Sequence, residues 1–277
     1  MKANTINLPG VLNARELGGY PAGNRTVRSG VLIRSGVLNK AEPGAIDILS
    51  AEYRVQTVID FRMSGVRGGA PDKEIPGAEY IRLPVVEMED YLARVKDLKM
   101  AKQFMSGNTD QRAMIDLAYE SGLLSPDMYV MFLLGDRGKK AYAEFFRILL
   151  RTDPSKGAVL WHCVDGKDRA GLAAMLLLSV LGTDRQTILE DYLMSNSGKE
   201  EKLGKIRKDC EALGMPPEKI EALQFASGGV FEHYMTHAMD TLESKYGCVR
   251  GYLTDGLGLT EPDMEQLREK YTSDRKL

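Results

Sequence analysis

The sequence has few cysteines, no long apolar run and almost no net charge, and each shortage excludes a class of protein. Three cysteines among 277 residues, an odd number at wide spacing, do not form the disulfide framework of a small secreted domain. No stretch approaches the roughly 18 apolar residues of a membrane-spanning helix. The balance of 37 basic against 39 acidic residues argues against a broad nucleic-acid or membrane-binding surface. We therefore expect neither nucleic-acid binding nor integral membrane association.

The amino-terminal residues, Met1 to Pro9, also lack the apolar run of a signal peptide. Together with the unpaired cysteines, this predicts a reducing, cytoplasmic compartment. Secretion stays open, because a cleaved signal would be absent from the mature chain.

Hydrophobic patterning predicts strands that alternate with helices, which is typical of an α/β fold. The glycine-rich and arginine-rich amino-terminal stretch predicts short extended pieces joined by turns. The predicted strands lie at 55–61, 80–83 and 158–162, the predicted helices at 44–53, 138–151 and 171–181, and beyond 184 the pattern is helical throughout.

No internal repeat or linker divides the chain, so we expect one domain over residues 1–277. Residues 85–136 are helical in pattern and rich in methionine, and we interpret them as a helical insertion. Methionine surfaces adapt to varied ligands, so this insertion is a candidate lid; the alternative is that it forms the core of a helical subdomain.

The most informative segment joins the predicted strand at 158–162 to the apolar helix at 171–181. It reads Trp161-His162-Cys163-Val164-Asp165-Gly166-Lys167-Asp168-Arg169-Ala170-Gly171. A loop between a strand and a helix directs successive backbone N–H groups inward, and the helix amino terminus adds a positive potential. These features together predict a cradle for a phosphate dianion.

The side chains of this loop suit nucleophilic chemistry on phosphate. A cysteine such as Cys163 is a nucleophile as the thiolate, which a helix amino terminus and nearby cations favour. Arg169 can hold two phosphate oxygens bidentately. Gly166 lets the backbone turn tightly around the anion, and His162 can orient the loop through its ring nitrogens. The alternative, a buried cysteine serving only to pack, does not explain the surrounding charged residues.

A metal site is not expected. His233 and His237 lie four apart on a predicted helix, but the glutamate of the His-Glu-x-x-His motif is absent and no third ligand is evident. The sequence predicts no cofactor.

The loop resembles the signature of protein tyrosine phosphatases. Its form His-Cys-x-x-Gly-Lys-Asp-Arg is similar to that of the atypical bacterial tyrosine phosphatases that also dephosphorylate phosphoinositides. Further blocks that resemble this family are Asn13-Ala14-Arg15-Glu16-Leu17-Gly18-Gly19-Tyr20, Leu32-Ile33-Arg34-Ser35-Gly36, Val58-Ile59-Asp60-Phe61-Arg62, Asp191-Tyr192-Leu193-Met194-Ser195-Asn196 and residues 252–260.

The resemblance implies a cysteine-phosphatase-like central sheet flanked by helices, with extra helical insertions. It implies Cys163 as nucleophile, Arg169 as phosphate ligand and Asp168 as general acid, with Asp60 as the alternative acid. Lys167 would add positive charge for a multiply phosphorylated headgroup. The predicted substrate-binding residues are His162, Val164, Asp165, Gly166, Lys167, Asp60 and Arg62.

The resemblance therefore predicts a tyrosine or dual-specificity protein phosphatase, with phosphoinositides as a further substrate. Two positions differ from the family pattern: Ala170 stands where a serine or threonine usually follows the arginine, and Asp165 adds a carboxylate. A non-catalytic phosphate-recognition module and a sulfur-transfer or arsenate-reducing enzyme remain as alternatives.

Overall fold

A computed structural model of the protein describes residues 4–65, 69–94 and 111–274. Its strands are β1 Arg15–Glu16, β2 Pro21–Ala22, β3 Arg25–Val27, β4 Leu32–Ser35, β5 Thr57–Asp60, β6 Glu79–Arg82, β7 Val159–His162 and β8 Thr272–Asp274. Part of the predicted insertion, residues 95–110, lies outside the described residues.

The helices are α1 Pro43–Asp47, α2 Met88–Leu92, α3 Gln111–Glu120, α4 Asp127–Leu134, α5 Asp136–Arg151, α6 Arg169–Leu181, α7 Arg185–Leu193, α8 Glu200–Ala212, α9 Pro217–Ala226, α10 Glu232–Tyr246, α11 Val249–Gly251 and α12 Glu261–Tyr271. Short π-helical or 3-10 turns continue α1, α7 and α11. Within the described ranges, no helix is long and apolar enough to cross a bilayer.

The central sheet has five strands in the order β1-β4-β7-β5-β6. Only β1 runs antiparallel to its neighbour, so the carboxyl ends of β4, β5, β6 and β7 reach the same edge. The register places Ser35 and Asp60 on either side of His162, the last residue of β7. In open α/β sheets this edge is where ligands bind.

The core lies on both faces of this sheet. In the central strand β7, Val159 and Trp161 face the larger apolar cluster, which contains α5 and α6, whereas Leu160 faces the smaller one. This alternation follows from the two-residue period of a strand, and burial on both faces explains why β7 is apolar throughout. The predicted α/β sheet flanked by helices is confirmed.

The carboxyl-terminal region departs from the all-helical prediction at one place. Thr272–Asp274 forms β8, which pairs with β3 in a separate antiparallel sheet of order β2-β3-β8. Three residues are too few to show a strand period, so the sequence pattern contains no signal for this strand.

Candidate active site

The predicted phosphate loop occupies residues 163–168, between the end of β7 and the start of α6. Gly166 has a φ of +70°, and a Cβ there would lie 2.4 Å from the carbonyl carbon of Ser35. Both the left-handed backbone and this close approach to β4 require glycine. The loop is therefore pressed against the carboxyl end of the sheet.

The loop backbone is arranged as an anion site. Among the described residues, no protein group accepts a hydrogen bond from the backbone N–H groups of residues 164–168. Helix α6 begins immediately afterwards, has no acidic residue in its first turn and runs for 13 residues. Its positive end and the unused N–H groups are the features by which helix amino termini bind phosphate.

Cys163 and Arg169 meet at this site. The Cys163 side chain is buried, and Arg169 donates one long hydrogen bond, 3.4 Å from Nη1 to the carbonyl oxygen of Phe61, while its buried Nε has no partner within the described part of the chain. Burial opposes the charge of Arg169, but the neighbouring Cys163, Tyr91 and Asp168 more than offset it and raise its pKa. The arginine is held charged beside the thiol.

A second arginine holds the loop from behind. Nη2 of Arg34 donates to the carbonyl oxygens of Gly166 and Lys167, at 2.8 and 3.2 Å, and Nη1 lies 2.5 Å from Oδ2 of Asp191. Asp191 also accepts from Nε of Arg15 at 2.9 Å. The loop therefore rests on a buried network that reaches α7.

The charges of this network are mutually dependent. Burial alone would raise the pKa of Asp191, but Arg15 and Arg34 lower it to about 2. Burial and the adjacent Arg15 lower the pKa of Arg34 to about 10, against the opposing effect of Asp191. The Tyr20 hydroxyl completes the network by donating to Oδ1 of Asp191 at 3.0 Å.

Asn13 fixes the outer turn of the loop. It has a positive φ of 56°, which asparagine tolerates better than most residues, and its Nδ2 donates to the carbonyl oxygen of Asp165 at 3.2 Å. Asp165 itself is half-buried and Val164 is exposed, and the Val164 carbonyl accepts from the backbone N–H of Val37 at 3.0 Å. These contacts involve the loop backbone and leave both side chains at the surface of the site.

Asp60 and Arg62 form a second charged cluster at the sheet edge. Arg62 donates to both carboxylate oxygens of Asp60, at 2.8 to 3.0 Å, and lies 2.5 Å from Asp72. Nε2 of His162 lies 3.2 Å from Oδ2 of Asp72, off the direction of a hydrogen bond. Burial would raise the pKa of Asp72, but His162, Arg62 and the N–H of Leu38 lower it.

This cluster concerns two questions: whether its residues could bind a metal, and whether Asp60 could be the alternative acid. The Asp60, Asp72 and His162 ligand atoms lie within 4.8 Å of one another, as in a metal site, but the Arg62 guanidinium already forms an ion pair with both carboxylates. Asp60, the predicted alternative acid, accepts hydrogen bonds from Arg62 on both of its oxygens.

Lys167 is directed away from the centre of the loop. Its ammonium donates to the carbonyl oxygens of Phe225 and Gly229, at 2.7 and 3.0 Å, and lies 3.7 Å from the centre of the Phe225 ring. These contacts tie the loop to the end of α9. To bind a headgroup phosphate, the ammonium would have to exchange them for phosphate oxygens.

Asp168 is the N-cap residue of α6, yet its side chain makes no capping hydrogen bond. Instead, Oδ1 accepts from the hydroxyl of Tyr129 at 2.6 Å and lies 3.7 Å from the Lys167 ammonium. The Tyr129 hydroxyl is also 2.9 Å from that of Tyr192. Asp168 is half-buried beside Cys163 and Arg169.

The remaining histidines lie beside surface carboxylates. His237 is 2.9 Å from Asp127 and His233 is 3.0 Å from Glu221, both on the surface.

Sequence reasoning missed the roles of several residues around the loop. Asn13, Arg15, Arg34 and Asp191 lie in the blocks that resemble the phosphatase family, which was the available signal. Asp72, Tyr91 and Tyr129 lie outside those blocks and only tertiary contacts reveal them.

Comparison with known proteins shows the family of the chain. The family model described as "Tyrosine phosphatase family" matches residues 6–273. A Cupriavidus necator protein that carries the name of a tyrosine-protein phosphatase is 31% identical over 269 residues, which are 94% of this chain and 86% of that protein.

Two further relatives align with about half of the chain. The triple specificity protein phosphatase PtpB of Mycobacterium tuberculosis is 33% identical over 152 residues, 51% of this chain and 52% of that protein. A tyrosine-protein phosphatase of Nostoc commune is 31% identical over 146 residues, 51% of this chain and 47% of that protein. Because the family model matches residues 6–273 and the Cupriavidus necator protein aligns with 94% of the sequence, this chain belongs to the tyrosine phosphatase family.

Proposed function

We propose that this protein hydrolyses phosphomonoesters through a phosphocysteine intermediate. The observation that carries the proposal is the loop at 163–168: its N–H groups have no acceptor among the described residues, its thiol is buried, and the arginine that follows it makes one long hydrogen bond. Each is a group that an incoming phosphate would satisfy.

In the first step, Sγ of Cys163 attacks phosphorus and forms the S–P bond while the P–O bond to the leaving group breaks. The electron pair of that bond goes to the leaving oxygen. The loop N–H groups and Arg169 stabilise the charge on the three remaining phosphoryl oxygens, which is greatest in the transition state.

Asp168 is the proposed general acid. It donates its proton to the leaving oxygen and then, as a carboxylate, takes a proton from the water that attacks the phosphocysteine. The second step breaks the S–P bond and regenerates the thiolate. Because Ala170 has no hydroxyl to stabilise that thiolate, the backbone N–H groups and Arg169 perform this role.

The proposed substrates are phosphorylated proteins, with tyrosine or dual specificity. The family and the names of the relatives support this class. Phosphoinositide hydrolysis depends on a free cation for a second phosphate, and the Lys167 ammonium is already bonded to two carbonyl oxygens. We therefore rank phosphoproteins ahead of lipid headgroups.

A cytoplasmic location is proposed with this function. All three cysteines are free thiols, and a nucleophilic thiol acts only while it is reduced.

The experiment that tests the proposal compares p-nitrophenyl phosphate, thiosulfate and arsenate as substrates, in the native protein and in Cys163→Ser. We expect turnover of the phosphate ester alone, falling at least about 10³-fold in the variant, since a serine hydroxyl is almost never an anion at neutral pH. Substrate binding should persist.

Cys248→Ser makes the same substitution at an exposed thiol and should keep turnover within about twofold. Turnover of thiosulfate or arsenate would favour the sulfur-transfer or arsenate-reducing alternative. Binding without any turnover in the native protein would favour a phosphate-recognition module.

A further inference from the structure

The side chain of Asp168 is in an unusual position for an aspartate at the start of a helix. Aspartate is among the preferred N-cap residues because its carboxylate accepts hydrogen bonds from the first helical N–H groups. At α6 this bond is absent from the described contacts, and the carboxylate instead meets Tyr129 at 2.6 Å. Two features replace the usual capping interaction: the backbone of Asp168, at φ −81° and ψ −83°, is not the extended one of a capping residue, and the Tyr129 hydroxyl competes for the carboxylate.

Tyr129 supplies that competing interaction from a buried and rigid position. It lies in α4, is fully buried, and packs edge-on against Tyr192 and Tyr234. A phenol has one hydrogen to donate, so when Tyr129 donates to Asp168, the bond at 2.9 Å must be donated by Tyr192. The three residues form a directed chain from Tyr192 to Tyr129 to Asp168.

The hydroxyls of Tyr192 and Tyr129 remain hydrogen-bond donors under all ordinary conditions. The pKa of Tyr129 is raised well above its usual value, mainly by burial and also by the neighbouring Asp168. Burial likewise raises the pKa of Tyr192. Both hydroxyls therefore stay protonated across the working pH range.

We propose that Tyr129 is a positioning residue for the general acid: its hydroxyl holds the Asp168 carboxylate away from the first N–H groups of α6. This has two effects. The first helical N–H groups stay available to the substrate phosphate, and Oδ1 is committed as an acceptor, so the transferred proton is carried on Oδ2. The inference rests on the proposed role of Asp168.

Helix α4 belongs to the predicted insertion at 85–136. Its contact with Asp168 makes the end of that insertion part of the catalytic arrangement. Without the hydroxyl, the Asp168 carboxylate is free to rotate onto the N–H groups of its own helix, where it would compete with the phosphate.

The test compares two substrates that differ in how much the leaving group needs a proton. Phenyl phosphate releases a phenol like a tyrosine side chain, whereas p-nitrophenol leaves readily as an anion. In Tyr129→Phe we expect kcat on phenyl phosphate to fall about tenfold and kcat on p-nitrophenyl phosphate to change less than about threefold.

Asp168→Ala separates this inference from the proposed function. If Asp168 is the acid, this variant loses about 10²-fold or more on phenyl phosphate and much less on p-nitrophenyl phosphate. Adding Tyr129→Phe to Asp168→Ala should then cause no further discrimination, since the two residues act as one unit. Equal losses on both substrates in Asp168→Ala would refute the acid itself.

If Asp168→Ala discriminates between the substrates but Tyr129→Phe does not, the positioning role is wrong and the proposed acid stands. A further increase in discrimination when Tyr129→Phe is added to Asp168→Ala would also overturn it. Tyr271→Phe is the matched control, because it removes a buried hydroxyl that donates to the Leu149 carbonyl at 2.9 Å. It should lower stability without changing the ratio of the two kcat values.

Tyr192→Phe keeps the inference testable if Tyr129→Phe does not fold. It removes the donor that orients the Tyr129 hydroxyl, and we expect the same discrimination with a smaller size, about threefold. An unchanged ratio of the two kcat values in Tyr192→Phe would then count against the proposed role of the Tyr192–Tyr129–Asp168 hydrogen bonds.

Discussion

Four buried or half-buried arginines surround the phosphate loop, and they differ in their partners. Arg15, Arg34 and Arg62 each lie within ion-pair distance of a carboxylate. Arg169 has no such carboxylate in the described part of the chain and makes one long hydrogen bond to a carbonyl oxygen. Three of the four are therefore compensated within the protein, and one is not.

The difference separates structural arginines from the one available to substrate. A buried charge without a partner is unfavourable by several kcal/mol, so a protein keeps one where a ligand or a thiolate compensates it. Near Arg169 lie Cys163, Tyr91 and Asp168, which raise its pKa, and a phosphate dianion would pair with its guanidinium directly. The arginines paired with Asp191 instead hold the loop in shape before any substrate arrives.

The largest effect expected from this comparison is on Arg169. Arg169→Lys keeps the charge but loses the planar fork, so kcat/KM should fall about 10³-fold, or roughly 4 kcal/mol. The measurement is steady-state hydrolysis of p-nitrophenyl phosphate.

Arg151→Lys is the control for that substitution, at an exposed arginine paired with Glu144, and should leave kcat/KM unchanged within about twofold. If Arg169→Lys retained more than about a tenth of the activity, a loss under roughly 1.4 kcal/mol, the loop N–H groups alone would suffice.

Removing the carboxylate shared by the structural arginines should act on stability. Asp191→Asn leaves Arg15 and Arg34 buried without a counter-charge, and the free energy of unfolding should fall by about 3 kcal/mol. Urea unfolding measures this change. Asp240→Asn removes the carboxylate of an exposed pair with Arg185 and should cost under about 0.5 kcal/mol; equal losses would contradict the comparison.

The same carboxylate should make stability depend on acid. The pKa of Asp191 falls from an ordinary value of 3.8 to about 2 on folding. Its contribution to the free energy of unfolding is therefore complete at pH values above the unfolded pKa and is lost as the pH falls towards 2. The contribution is about 2 kcal/mol. Unfolding of the native protein and of Asp191→Asn between pH 5 and pH 2 should converge by about that amount; parallel curves would argue against it.

The smallest effect is expected at a surface pair. His237→Gln removes a contact of 2.9 Å with Asp127, and both side chains are largely exposed, so the change should stay under about 0.5 kcal/mol. Thermal unfolding at neutral pH tests this. A loss above roughly 1.5 kcal/mol would mean that the pair supports α4, and through it Tyr129, more strongly than an exposed pair should.

Much of the sheet and of the loop could be predicted from local pattern. Strands β5, β6 and β7 and helices α5 and α6 lie within two residues of the predicted bounds. Strands β5 and β7 are buried along their whole length and the two helices carry long apolar stretches, so local pattern is enough to identify them. The three-residue strand β8 could not be predicted, since its only support is the pairing with β3.

The roles of the charged residues were less accessible. The sequence predicts Lys167 as a cation that binds the substrate. In the structure its ammonium is bonded to the carbonyl oxygens of Phe225 and Gly229, about 60 positions further along the chain. Asp60 reads as an alternative acid, but Arg62 engages both of its oxygens. Arg34 reads as one of several arginines, and only its contacts with Asp191 and the loop carbonyls distinguish it.

The sequence by itself determined where the candidate loop lies, because a strand end, a thiol, a glycine turn and an arginine stand within eight consecutive residues. Only the tertiary structure decided which arginine stays without a carboxylate and which tyrosine reaches Asp168. Those outcomes depend on burial and on contacts across 176 positions for Arg15 and Asp191 and 39 for Tyr129 and Asp168. Local sequence carries no information about a partner's distance, and in a buried site that distance decides whether a charge is compensated or left for the substrate.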